Sequence, residues 1–217
     1  MQPFAVVEGV AAPFDQSNVD TDQILPARFL RRPRKGGYQD YLFRDRRFHE
    51  DGSEKTDFVL NQQPFRNAKI LVANRNFGVG SSREQAPWGL LDYGIRCVIA
   101  ADFGEIFQLN SPKAGLLPVR LDAASCTRLR EMLHQQPGTA LRVDLPLQIV
   151  AAPDGSTFEF TIDSFAKRLL LEGLDDIGIT LVHDKGITAF EKSYRRTFDW
   201  LFTGSALVLE GQVDPCR

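Results

Sequence analysis

Lys69-Ile70-Leu71-Val72-Ala73, then Asn76-Phe77-Gly78-Val79-Gly80-Ser81-Ser82-Arg83-Glu84, then Gln85 to Tyr93 with a stop at Gly94, is the stretch that decides the fold. Its first part is a short apolar β-type run and its last part has helical character. Between them lie two glycines, which let the backbone take positive φ and approach a ligand closely. The order strand, glycine loop, serine pair, helix predicts an anion-binding corner. Backbone N–H groups at a helix start and the helix dipole both favour negative charge. Gly78 and Gly80 would form the nest, and Arg83 adds a planar fork of donors suited to a carboxylate.

The same residues have a plainer use. Ser81 is followed three positions on by Glu84, and Ser82 by Gln85, so either pair fits a capping box. Pro87 is expected to kink or restart the helix, because proline lacks the N–H of a helical bond. The loop lacks the Gly-Lys-Ser/Thr ending of a P-loop and the third glycine of a dinucleotide loop. It is not a Gly-x-Ser-x-Gly elbow either.

Outward from this corner, strand and helix patterns alternate. Arg96–Ala101 is an apolar strand suited to burial on both faces. Phe103–Leu109 reads as a short helix, and Gly115–Val119 leads into another strand. Residues 122–136 form an amphipathic helix with Ala124, Leu129, Met132 and Leu133 as its stripe, its arginines and His134 on the solvated face, and Pro137-Gly138 ending it. Leu141–Val143 and Leu147–Ala151 suit a β pair. Asp154-Gly155 is a hairpin turn before the alternating 157–162 run. Ser164–Leu171 is helical, 174–180 a loop, 182–192 loosely helical, and 201–217 a tail. Towards the N-terminus, residues 5–10 read as a short strand. Asn18, Asp20 and Asp22 are spaced like the start of a calcium loop, but the glycine and distal glutamate are missing. The two aspartates flanking Thr21 can fix a turn or hold an arginine. Arg28, Arg31, Arg32, Arg34 and Lys35 are either a solvated loop or a contact for an acidic substrate. Gly36-Gly37 follow them, and Phe43 and Phe48 are the anchors of the polar stretch beyond, where His49 is a surface residue. The whole is an α/β domain with a mixed sheet.

Composition excludes several classes. The 217 residues carry a net charge of −2 and are 43% apolar, so no global basic field points to nucleic acid. Three scattered cysteines, Cys97, Cys126 and Cys216, make neither a disulfide framework nor a metal ligand set. The first residues lack the pattern of a signal peptide, and no apolar run suffices for a membrane span; a cytoplasmic protein is expected.

Asn18–Pro26 and Asn76–Trp88, followed in order by Phe103–Phe107, Gly115–Val119 and Gly173–Thr180, resemble the small subunits of 3-isopropylmalate dehydratases, which are swivel domains of the aconitase superfamily. The resemblance spans roughly residues 4–193. It implies a barrel-like mixed sheet flanked by helices, with a domain over 1–200 and a tail over 201–217. It implies a hydro-lyase of leucine biosynthesis, active only with a large subunit that carries the 4Fe-4S cluster, and no metal on this chain. Ser81 would be the catalytic base. Ser82, Arg83 and Asp22 would bind the dicarboxylate, and Arg34 or Lys35 would add a cation. The Phe29–Gly37 loop corresponds to the segment that differs among relatives with different substrates. Small subunits of citraconate, methylmalate or homoaconitate hydratases are the related alternatives, and a non-catalytic organic-acid-binding module is another. Gly104 stands where the family pattern has alanine, a mild departure by sequence.

Overall fold

In β3 (Ile70–Ala73) and β5 (Cys97–Ala100) every residue is buried. Ile70, Val72, Cys97 and Ile99 enter one apolar cluster, while Leu71, Ala73, Val98 and Ala100 enter a second. Side chains alternate across a strand, so an unbroken apolar run means a sheet covered on both faces. The computed structural model describes residues 1–80 and 83–202.

The elements before β3 are β1 (Val6–Phe14), β2 (Val19–Asp20), α1 (Thr21–Ile24) and α2 (Arg44–Arg47). After it come β4 (Phe77–Val79), α3 (Gln85–Tyr93), α4 (Glu105–Ala114), β6 (Leu117–Arg120) and α5 (Ala123–Gln135). Then follow β7 (Ala140–Asp144), β8 (Ile149–Ala151), β9 (Thr157–Glu159) and α6 (Ser164–Glu172). The main sheet has the order β6-β5-β3-β1-β7-β8-β9. Its β6-β5-β3-β1 half is parallel and its β1-β7-β8-β9 half antiparallel. β2 and β4 form a separate parallel pair. Helix α5 covers one face with Cys126, Leu129 and Leu133. Helices α3 and α4 cover the other with Ala86, Leu90 and Phe107. Each such large apolar side chain contributes about 1.5–3 kcal/mol by leaving water.

Several sequence expectations need correction. β1 runs four residues past the expected end despite Pro13. Its ladder to β7 stops at Val10, so at Pro13 the strand pairs only with β3 and tolerates the missing N–H. α4 continues to Ala114 with Pro112 inside it. Ala124 is exposed, and the buried stripe of α5 is Cys126, Leu129, Arg130 and Leu133. Arg130 is therefore not on the solvated face. Residues 174–180 are not a loop throughout: α7 spans Asp176–Val182, with Asp176 in its first turn, where the dipole favours an acid.

Contacts between residues group Met1–Asp175 as one unit and Asp176–Arg217 as another. Within the second, α8 spans Asp184–Thr197. Phe190, Tyr194 and Phe198, four residues apart, form a ladder with ring centroids 5.6 and 4.8 Å apart. The expected tail from 203 onward lies outside the described residues. No helix among the described residues is long and apolar enough to cross a membrane.

Candidate active site

Three parallel strands, β1, β3 and β5, are neighbours in the sheet, and each releases a motif at its C-terminal end. The Asn18–Asp22 motif follows β1, the Asn76–Arg83 motif follows β3, and Phe103–Phe107 follows β5. Open α/β sheets bind ligands at this edge, because parallel strands send all their exits to one side. Here the exits are fastened together. Asn18 donates its N–H to the Arg75 carbonyl at 3.0 Å, and the Asn76 amide donates to Asn18 Oδ1 at 2.6 Å. Both asparagines are left-handed, with φ of 56° and 55°, a conformation asparagine tolerates. The β2–β4 pair then joins Val19 to Phe77. Phe77 bridges to Phe103, and the Gly104 N–H reaches the Phe77 carbonyl at 2.9 Å.

Glycine is required in this corner for two reasons. Gly78 and Gly80 have φ of 74° and 96°. A Cβ on Gly78 would lie 2.3 Å from Phe107 Cγ. Gly104 has ordinary φ, yet a Cβ there would lie 2.3 Å from the Gly78 carbonyl oxygen. The departure at Gly104 is thus not mild: here the start of α4 approaches β4 more closely than alanine permits.

The first motif both fixes a turn and holds an arginine. Asp20 caps α1, accepting from the Gln23 N–H at 2.7 Å. Asp22 accepts from the Ala27 N–H at 3.0 Å and takes both arms of the Arg83 guanidinium, with the Nη2–Oδ2 contact at 2.7 Å. Each partner favours the other's charge: Arg83 holds the Asp22 carboxyl below its usual range, and Asp22 raises Arg83. The Arg83 side chain is 12% exposed and that of Asp22 is 56% exposed. The guanidinium is held within the corner and the carboxylate faces water. Thr21, buried, lies near Gly80.

Ser81 and Ser82 lie outside the described residues. Helix α3 starts at Gln85 with Glu84 at the cap position and no capping bond from the Glu84 side chain. Counted from Glu84, the capping-box partner position is Pro87. Pro87 falls in the first turn, where a backbone N–H would have no intrahelical acceptor, so the donor that proline lacks costs the helix no bond.

Arg34 and Lys35 sit apart from that pair in role. Arg34 lies 4.6 Å over the Trp88 ring and 3.6 Å from Asp92, both on α3. Asp92 also accepts the Tyr38 N–H at 2.8 Å, and Phe29 stacks on Tyr41 at 4.5 Å. Stacking thus anchors the basic loop to α3 through Arg34, while Lys35 is exposed. Ile106 and Leu109 of α4, 42% and 64% exposed, leave apolar surface on the helix whose Phe107 packs on Gly78.

No group of three metal-ligating side chains occurs among the described residues. Cys97 and Cys126 do not fit an iron–sulfur cluster. Both are buried in the core; burial pushes the Cys97 thiol up, and that of Cys126 up to about 11, against the thiolate a metal needs.

Sequence reading missed Arg130. It is 7% exposed and reaches from α5 to Asp15 Oδ1 at 3.0 Å, the Ala73 carbonyl at 3.1 Å and Thr127 Oγ1 at 3.3 Å. His134 Nε2 meets the other Asp15 oxygen at 2.7 Å. The available signal was spacing: Arg130 lies four residues after Cys126, on the buried stripe.

The chain is similar to known proteins over almost its whole length. Residues 1–124 match the family model of the aconitase C-terminal domain and 127–164 that of LeuD_N. Residues 176–204 match the model of the C-terminal domain of 3-isopropylmalate dehydratase small subunits. The 3-isopropylmalate dehydratase small subunit of Gluconacetobacter diazotrophicus is 48% identical over 92% of this chain and 97% of that protein. That of Granulibacter bethesdensis is 50% identical, over 92% and 96%. The crystal structure of 3-isopropylmalate dehydratase from Methanocaldococcus jannaschii is 25% identical, with a TM-score of 0.60, covering 86% of this chain and 99% of that one.

Proposed function

The chain belongs to the 3-isopropylmalate dehydratase small-subunit family, and from that premise we propose that it supplies the proton-handling and carboxylate-binding wall of a hydro-lyase of leucine biosynthesis. The enzyme interconverts 2-isopropylmalate and 3-isopropylmalate by removing and restoring water. The observation that carries this reading is the meeting of Asp22 and Arg83, 61 positions apart, beside Gly80 at the C-terminal edge of the parallel strands.

The proton to be taken lies on carbon beside a carboxylate and is weakly acidic. Ser81 is the base. A serine alkoxide needs strong stabilisation, which the Gly78–Gly80 nest, the α3 start and Arg83 supply from backbone dipoles and one fixed cation. A well-placed base contributes about 10²–10⁴-fold in rate. Arg83, held through both arms by Asp22, meets the substrate carboxylate with the N–H donors that Asp22 leaves over, together with Ser82, and Lys35 or Arg34 meets the second carboxylate from the loop. A 4Fe-4S cluster would be held by the large subunit and would supply Lewis-acid chemistry at the leaving hydroxyl; the two buried cysteines described here do not suit it. Activity therefore requires the heteromer, and the enzyme works in the cytoplasm.

Mixing the chain with an iron–sulfur large subunit tests the proposal. Turnover of 2-isopropylmalate is expected only in the mixture. Ser81→Ala should lower kcat at least about 100-fold with assembly intact. A near-normal rate would remove Ser81 as the base. Preference for a citraconate, methylmalate or homoaconitate-type substrate in the same panel would move the assignment to that relative.

A further inference from the structure

The two motif-bearing loops leave the sheet at Asp15, just after β1, and at Asn74, just after β3. One buried guanidinium spans both exits. Arg130 donates Nε to the Asp15 carboxylate and Nη1 to the carbonyl of Ala73, the last residue of β3. Asn74 closes the arrangement by donating its side-chain amide to the Asp15 carbonyl at 3.1 Å. The Asp15 carboxylate is met by Arg130 and by the His134 ring, both on α5. From these fastened exits, only a few residues of chain lead to Asp22 on one side and to Gly78 on the other.

A buried arginine is costly to desolvate and is kept in place by complete pairing. This one directs its donors to the two backbone exits and to Thr127 rather than to a core partner. We infer that Arg130 is a positioning residue: with Asp15 it sets the spacing between the Asn18–Asp22 and Asn76–Arg83 loops, and so the alignment of Arg83 with Asp22 and with substrate. The inference rests on the proposed dehydratase reading for its catalytic consequence, but not for its structural one. Misplacing a reacting group by about 1 Å can cost 100-fold in rate, so a spacer remote from the chemistry can govern it.

The test has two arms. In the full chain, amide and guanidinium NMR signals of Asn76, Gly78, Gly80 and Arg83 should shift in Arg130→Gln, while those of Val143 and Val150 in the antiparallel half stay put. Asp15→Asn, which keeps the shape and an acceptor oxygen, should move the same signals less; it serves if Arg130→Gln does not fold. In the reconstituted heteromer, Arg130→Gln should lower kcat/KM about tenfold or more, with Arg130→Lys recovering part of it. Combined with Asp22→Asn, the loss should be no greater than that of the worse single variant, since both act on one alignment. Additive losses, or corner signals that do not move, would overturn the inference. A wild-type mixture without turnover would instead defeat the dehydratase reading, and the NMR arm would still decide the role of Arg130.

Discussion

The parallel and antiparallel halves of the same sheet are built from similar residues but do different work. In the antiparallel half, β8 turns into β9 through Asp154-Gly155, with Gly155 at φ 84° and Asp154 accepting from the Ser156 N–H at 2.8 Å. That turn is local and closes on itself. In the parallel half no strand can return directly, so each exit must travel, and three exits converge on one edge. Convergence gathers Asp22, the Gly78–Gly80 corner and Arg83 from distant sequence. The antiparallel half buries apolar side chains and gathers no comparable set among the described residues. The proposed site follows from where strands of one direction end.

The sharpest way to break this comparison is to put the same substitution in both glycine turns. Gly78→Ala must strain a positive φ and also displace Phe107. It should cost about 3 kcal/mol or more, the sum of left-handed strain and overpacking. Gly155→Ala meets nothing within 4 Å and should cost only the strain, about 1–2 kcal/mol. Urea denaturation of both variants measures the gap; equal losses would show that the two turns are equivalent.

A smaller effect is expected from Arg83→Lys. It keeps the charge and loses the fork shared with Asp22. In the heteromer, KM should rise and kcat fall, lowering kcat/KM about tenfold or more, or about 1.4 kcal/mol. Unchanged kinetics would separate Arg83 from carboxylate binding.

The smallest effects compare two ion pairs through pH. Asp22 has a folded pKa lowered mainly by its bond to Arg83, so its stabilisation is fully present above the ordinary carboxylate value of about 4 and is lost as pH falls through the lower folded value. Asp22→Asn should therefore destabilise the chain by up to about 1 kcal/mol at neutral pH, and less as the pH drops below 4. Its largely water-facing carboxylate keeps the figure small. Arg128, 63% exposed and 3.4 Å from Asp154 in the antiparallel half, should cost less than Asp22→Asn when changed to alanine, because water screens an exposed pair. A larger loss for Arg128→Ala than for Asp22→Asn would reverse the comparison.

Particular residues show what could be read in advance. Ile70–Ala73 and Cys97–Ala100 announced buried strands, because apolar runs of that length suit little else. Gly78 and Gly80 announced a corner, since only glycine accepts those φ values cheaply. Asp154-Gly155 announced its own hairpin. Arg130 was misread, because arginine is ordinarily solvated and the carboxylate it pairs with is 115 positions away. Gly104 looked interchangeable with alanine, because the carbonyl that forbids a Cβ belongs to Gly78 on another segment. The end of β1 was cut short at Val10, because the single-sided ladder that lets the strand continue through Pro13 depends on where β7 stops.

By itself, then, the sequence determined everything governed by near neighbours: which runs alternate or stay apolar, which turns need glycine, and which family pattern the motifs follow. The tertiary structure alone decided that Arg83 is held by Asp22, that Arg34 is engaged by Trp88 and Asp92, and that Arg130 joins two strand exits. The physical reason is range. Backbone propensity acts over a few residues, whereas an ion pair or a steric limit is set by distance in space, which only the folded sheet fixes.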